Sequence, residues 1–136
     1  MKRLKRHSVG LAVLVLWTMA CSVSCERKPA QIFFPQTEID LGTVFTDDAI
    51  HTVDVEFQNT GGEKLVISSV WPSCDCVTVE RFDSIVGGGK KGKISLRYNF
   101  SIYPPGDIER FVTVTSNSVD TTDHEVYIHA FLKYAH

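Results

Sequence analysis

A chain of 136 residues, 43% hydrophobic and 22% charged with no low-complexity run, has room for one packed domain and excludes general disorder. Formal net charge is −2; setting aside Lys2, Arg3, Lys5 and Arg6 leaves ten basic residues against sixteen acidic ones, a net of −6. That surface repels phosphate backbones, and no basic stripe interleaved with aromatics offsets it, so nucleic acid is not an expected partner.

The first 24 residues read as an export signal. Four basic residues precede an apolar run from Val9 to Ala20. Twelve residues in a helix span about 18 Å, short of the roughly 30 Å hydrocarbon layer, so this is a signal-peptide core rather than a membrane span. Two cysteines then follow small residues, Cys21 after Ala20 and Cys25 after Ser24. Both resemble the bacterial lipobox, whose cysteine is lipidated and becomes the new N-terminus. Cys25 is the preferred site because Glu26-Arg27-Lys28-Pro29 turns polar at once; Cys21 is the alternative. Neither has the favoured Leu three residues earlier. The expectation is a signal peptide over 1–24, a polar tether over 25–31, and a domain over 32–136 held to the membrane by lipid.

Along that domain the apolar residues recur with period 2. Glu38 to Phe45 alternates as a strand, broken at Gly42 where a bulge or a change of sheet is expected. Thr46 to Ala49 is a turn. Val53, Val55 and Phe57 share one face of the next run, and Asn59-Thr60-Gly61-Gly62 leads to Lys64–Val70, which predicts a hairpin with Phe57 and Ile67 facing the core. Cys76 to Phe82, Lys93 to Phe100, Arg110 to Ser116 and Glu125 to Leu132 are further strands. Val86 to Gly92 reads as a hairpin connection and Tyr103 to Asp107 as a hard turn. About seven short strands with turn signals near every ten residues predict an antiparallel β-sandwich, with a barrel as the alternative.

Phe34, Ile39-Asp40-Leu41-Gly42-Thr43-Val44, Phe57-Gln58-Asn59-Thr60-Gly61, Leu65-Val66-Ile67, Cys74-Asp75-Cys76, the glycine-rich loop before Ile94, Gly106 and Val114-Thr115-Ser116-Asn117 occur in one order. Together they resemble bacterial domain-of-unknown-function family 1573, found in secreted and lipid-anchored proteins. The resemblance covers nearly all of the chain beyond the signal and implies a Hydin-type, immunoglobulin-like fold in the cell envelope. The usual Cys-Gly-Cys-Thr of that family stands here as Cys74-Asp75-Cys76-Val77. The family brings no established activity.

Cys74 and Cys76 carry the main chemical candidates. Residues two apart in an extended strand have Cα atoms about 6.5–7 Å apart, at the edge of disulfide reach, and Pro72-Ser73 could supply a shortening bend. Export favours a bridge; two thiolates could instead hold a soft ion such as Cu(I). The structural reading sees a clip or two small buried side chains. No second ligand pair stands at zinc spacing, unless His51 or His129 folds against the cysteines. His124 and His129, five apart, are expected on opposite faces of a strand.

Asp47-Asp48 lacks the rest of a calcium loop. Gly87-Gly88-Gly89-Lys90-Lys91 lacks phosphate-loop spacing. Asp83-Ser84-Ile85 and Asp120-Thr121-Thr122 match a short O-glycosylation pattern but read first as turn residues; Asn99-Phe100-Ser101 matches an N-glycosylation pattern but lies in an expected strand, and a bacterial lipoprotein would seldom use it. With no nucleophile and base at motif spacing, no enzyme and no resident cofactor is expected. The sequence therefore predicts a lipid-anchored envelope protein that binds a protein or glycan partner. Thiol redox or copper handling at Cys74 and Cys76 is the alternative.

Overall fold

The computed structural model describes residues 25–135; the signal segment, Cys21 and His136 lie outside them. The strands are β1 (Ile32–Phe33), β2 (Glu38–Phe45), β3 (Ile50–Asn59), β4 (Leu65–Pro72), β5 (Val77–Phe82), β6 (Ile85–Val86), β7 (Lys91–Asn99), β8 (Gly106–Ser116) and β9 (Asp123–Lys133). They build two facing sheets, ordered β1-β3-β7-β5 and β2-β9-β8-β4-β6. The fold is an immunoglobulin-like β-sandwich. Its strand count is nine rather than about seven, because β1 and β6 are two-residue strands too short to show periodicity. One neighbouring pair, β2 with β9, is parallel. The barrel alternative fails because the two sheets stay separate along both sides.

The alternation works as expected wherever a strand has one dry face. Val55 and Phe57 of β3, Ile94, Leu96 and Tyr98 of β7, Val112 and Val114 of β8, and Val126, Ile128 and Leu132 of β9 meet between the sheets. Phe57 and Ile67 are 1% and 3% exposed. In β2 the expected irregularity is a bulge: register shifts between Asp40 and Thr43, and Gly42 takes φ +68°. The Gly42 N–H donates to Asp40 Oδ1 at 2.7 Å.

Two expected hairpins are not hairpins. β3 pairs with β1 and β7, whereas β4 pairs with β8 and β6, so the segment after Asn59 carries the chain from one sheet to the other. The Gly87–Lys90 loop makes a second crossing, from β6 to β7. Turn residues report that the chain reverses; which sheet receives the next strand is a long-range matter. Here the crossing is held by Asn59, which is wholly buried. Its Oδ1 accepts from the N–H groups of Gln31 (3.2 Å) and Gly61 (3.0 Å). Its amide donates to the carbonyls of Glu63 (2.7 Å) and Val86 (3.0 Å). All four bonding positions of the side chain are used.

The same end receives the N-terminal segment. The Lys28 carbonyl accepts from Gly62 and Glu63, both at 2.9 Å, and the Ala30 carbonyl from Val119. The body of the fold thus begins at Lys28, upstream of Ile32. Glycine is required where these backbones touch. A Cβ at Gly61 would lie 1.9 Å from the Pro29 oxygen, and one at Gly88 would lie 2.5 Å from the Gly62 oxygen.

Phe57→Ala should cost about 2–5 kcal/mol through the cavity it leaves. Asn59→Ala removes no comparable apolar volume but strands four backbone groups, and should cost at least about 3 kcal/mol. Denaturant melts of both variants check this; an Asn59→Ala loss under 1 kcal/mol would show that water replaces the amide freely.

Candidate functional site

β4 and β5 follow one another in the chain yet lie at the same side of opposite sheets. β6 covers only Leu65 and Val66 of β4, so the outer edge of β4 from Ser68 onward has no strand partner. β5 pairs with β7 alone. The Asn99 N–H donates to the Cys76 carbonyl at 2.8 Å. Antiparallel pairs alternate between bonded and non-bonded, so the backbone groups of Val79, three positions on, turn away from β7 toward the open side. Between the two edges runs a cleft of about 580 Å³, lined by Val70, Trp71, Cys74, Val79 and Phe82.

Trp71 stands 69% exposed at its rim, and a bulge explains why. Leu65 and Ile67 face inward, and simple alternation would send Trp71 inward with them. The register against β8 shifts by one residue between Ile67 and Ser69, so Val70 sits opposite Val114 and Trp71 opposite Thr113. The core receives the valine; the indole goes to the surface. The sequence reading did not single out Trp71. The signal present was a Ser-Ser pair interrupting the strand ahead of an aromatic.

Cys74 and Cys76 are joined by a disulfide with Cα atoms 5.3 Å apart. The chain is not extended there: the Val77 N–H reaches back to the Cys74 carbonyl at 3.3 Å, closing a tight turn. That turn is fixed to β8, since the Ser73 N–H donates to the Phe111 carbonyl and Ser73 Oγ accepts from the Phe111 N–H, at 2.9 and 3.0 Å. Cys76 is buried and Cys74 is half-buried at the cleft.

The histidines are engaged elsewhere. His51 Nε2 bonds the Asp48 carbonyl at 2.9 Å, His124 lies 3.2 Å from Asp120, and His129 lies 3.3 Å from Glu109. His124 sits against Phe34 on the inner side of β9 and His129 on its outer face, as their spacing required. Among the described residues no group of three His, Cys, Asp or Glu side chains is placed to hold a metal ion. Asp120 is held down to about 2, first by the Ser118 hydroxyl and then by the Thr121 N–H. Burial pushes the Tyr98 phenol up, and the Ser95 hydroxyl holds Asp54 down. None of these lines the cleft.

The glycine-rich loop and the short glycosylation patterns take structural roles. Asp83 accepts from the Lys93 N–H at 2.9 Å, Thr121 donates to the Asp123 carbonyl, and Asn99 Oδ1 accepts from both Ser101 donors. An acidic hollow of about 490 Å³ on the outer face of β2, β9 and β8 brings Asp40, Asp107, Glu109 and His129 together.

A two-sheet sandwich with a pinned N-terminal segment and an open β4–β5 side defines an immunoglobulin-like β-sandwich domain. The chain belongs to the family described as "Protein of unknown function (DUF1573)", which matches residues 32–132. A search of the curated proteins gives no match. Among solved structures it is similar to a Porphyromonas gingivalis W83 protein of unknown function, at 16% identity and TM-score 0.68, covering 77% of this chain and 48% of that one. It is similar to the YadV chaperone at 17% identity and TM-score 0.53, covering 78% and 53%. It is similar also to an ASH/PapD-like domain of human CEP192 at 13% and 0.58, covering 79% and 89%. The chain therefore spans about half the length of the first of these. At such identities the likeness is one of fold.

The disulfide closes a loop of only three residues, so chain-entropy arguments assign it roughly 1.5 kcal/mol. A Cys74→Ser/Cys76→Ser variant should keep the fold and lose about 1–2 kcal/mol in a denaturant melt. Loss of more than about 4 kcal/mol would give the bridge a larger structural role than its loop length allows.

Proposed function

We propose that the protein is a lipid-anchored module of the cell envelope that acts without catalysis, binding an extended segment of a protein partner at the β4–β5 side. One observation carries the reading: two unpaired strand edges converge on an apolar cleft with an exposed tryptophan at its rim. An extended segment laid along β5 would meet the free backbone groups of Val79, which is recognition by strand addition. Its alternate side chains would enter the cleft against Val70 and Phe82. Trp71 offers a large apolar surface at low entropic cost. A chaperone and a PapD-like domain among the similar folds are in keeping with a binding role. The anchor rests on the basic start, the twelve-residue apolar run and Cys25, an exposed free cysteine three residues ahead of the pinned Lys28.

The second reading is thiol redox or copper handling, favoured by the position of the Cys74–Cys76 bridge on the wall of the same cleft. It requires that the bridge open, since only free thiolates bind Cu(I). Stoichiometric copper on the reduced wild type and none on the double serine variant would bring this reading forward.

A radioactive fatty acid should label the wild type and the Cys21→Ala variant but not Cys25→Ala, which should partition into the aqueous phase on detergent extraction. Labelling abolished by Cys21→Ala alone would move the anchor to Cys21. For the cleft, a photo-crosslinking residue at Trp71 or Thr78 should give a discrete protein adduct in cells, and one at Phe45, on the far edge of β2, should not. Val79→Pro, which removes the outward N–H of β5, should abolish the Thr78 adduct. Equal adducts at all three positions, or an adduct indifferent to Val79→Pro, would sink strand addition.

A further inference from the structure

Charge is divided sharply between one end of this sandwich and the rest of it. Residues 26–31, 59–64, 87–91 and 117–122 gather at the end where the N-terminal segment is pinned. They carry five basic residues, Arg27, Lys28, Lys64, Lys90 and Lys91, against three acidic ones. The rest of the described chain carries five basic residues against thirteen acidic, so this end sums to +2 and the remainder to −8. The two groups of cations also differ in engagement. Of the five elsewhere, Lys93 pairs with Asp54, Arg97 with Glu80, Arg110 lies over Tyr103 and Lys133 over Phe131, leaving only Arg81 exposed without such a partner among the described residues. All five at the pinned end are exposed, and none is ion-paired among the described residues.

We propose that this end is an electrostatic foot, docking on the anionic phospholipid headgroups of the membrane that holds the protein. The inference rests on the lipid-anchor reading, and its force comes from the length of the tether. Lys28 is bound by Gly62 and Glu63, and Arg27 packs beside Gly62, so only Glu26 and Arg27 separate Cys25 from the pinned Lys28, three residue steps in all. Three extended residues reach about 10 Å. The screening length at physiological salt is about 8 Å, so an anchored domain keeps its five free cations within reach of the headgroup charge. Val119, 59% exposed at the tip of the 117–122 loop, adds an apolar contact at the same level. The acidic remainder is repelled by the same surface. The domain would stand upright, with Trp71 and the Cys74–Cys76 turn some 20 Å along β4 from the foot, facing partners rather than lipid.

The test supplies the anchor chemically. The chain from Cys25 onward contains all nine strands and every described core residue, and Cys25 is the free thiol beside the bridged pair. Coupled through Cys25 to a maleimide-bearing lipid, it is placed on vesicles of phosphatidylcholine with or without phosphatidylglycerol, and lysine acylation rates are read by mass spectrometry. Lys28, Lys64, Lys90 and Lys91 should be acylated several-fold more slowly on the anionic vesicles, with Lys93 and Lys133 unchanged. Protection should vanish in roughly 1 M salt, where the screening length falls to about 3 Å. A Lys64→Glu/Lys90→Glu/Lys91→Glu variant with an unchanged melt should lose the protection of Lys28. Equal rates on the two vesicles, protection that includes Lys93 and Lys133, or protection indifferent to salt would overturn the proposal. So would slowing by a soluble anionic polysaccharide but not by vesicles, which would make the foot a glycan site. Failure of fatty-acid labelling in cells would instead strike the lipoprotein reading and leave this measurement standing.

Discussion

The buried amide of Asn59 is the interaction on which the arrangement of this sandwich depends. It sits where four segments meet: the N-terminal segment at Gln31, the crossover at Gly61 and Glu63, the short β6 at Val86, and β3 itself. A crossover between sheets has no ladder to satisfy its backbone, and buried backbone groups must find partners. One side chain with two donors and two acceptors answers four of them. The cost of this economy is space, since the backbones it gathers come so close that Gly61 and Gly88 admit no Cβ.

Open sheet edges are a hazard, because unpaired backbone invites the edge of another chain. The two open sides here are treated differently. Between β2 and β3 the gap is about 210 Å³, with Asp54 and Glu56 in its wall and Pro35 beside them. Charge and proline are the usual means of blunting an edge. Between β4 and β5 the gap is more than twice as large and more apolar, and a tryptophan is turned outward at its rim. The two sides thus differ in how far charge and proline blunt them. The disulfide turn closes the distal end of the β4–β5 side, held to β8 through Ser73.

The two ends of the sandwich follow from the same topology. Every loop gathered by Asn59 lies beside the pinned N-terminal segment; Arg27 and Lys28 lie on that segment, Lys64 and Lys90 on those loops, and Lys91 at the start of β7 next to them. The turn that carries the disulfide and the loop between β7 and β8 lie at the other end. A lipid at Cys25 would thus act on an already oriented body, because the segment from Lys28 onward is bonded into the fold rather than free.

Composition and local pattern were enough to read a period-2 alternation and hence a β-sandwich, the inward faces of Phe57 and Ile67, and the irregularity at Gly42. These are properties of a residue and its near neighbours: an apolar face must be covered, and a glycine breaks a ladder wherever the strand runs. The sequence also pointed to Cys74 and Cys76, but extended-strand geometry left their distance at the edge of bonding. Tertiary structure decided the rest. Pairing of β3 with β7 and of β4 with β8, instead of with each other, depends on which distant strands complete each sheet, and no local period encodes that. The exposure of Trp71 depends on one extra residue in β4 against β8, which inverts every side chain beyond it. The turn that brings Cys74 and Cys76 to 5.3 Å depends on Ser73 bonding to a strand nearly forty residues away. Asn59 reads locally as a turn residue; it becomes the centre of the crossover only when Gln31 and Val86 arrive beside it.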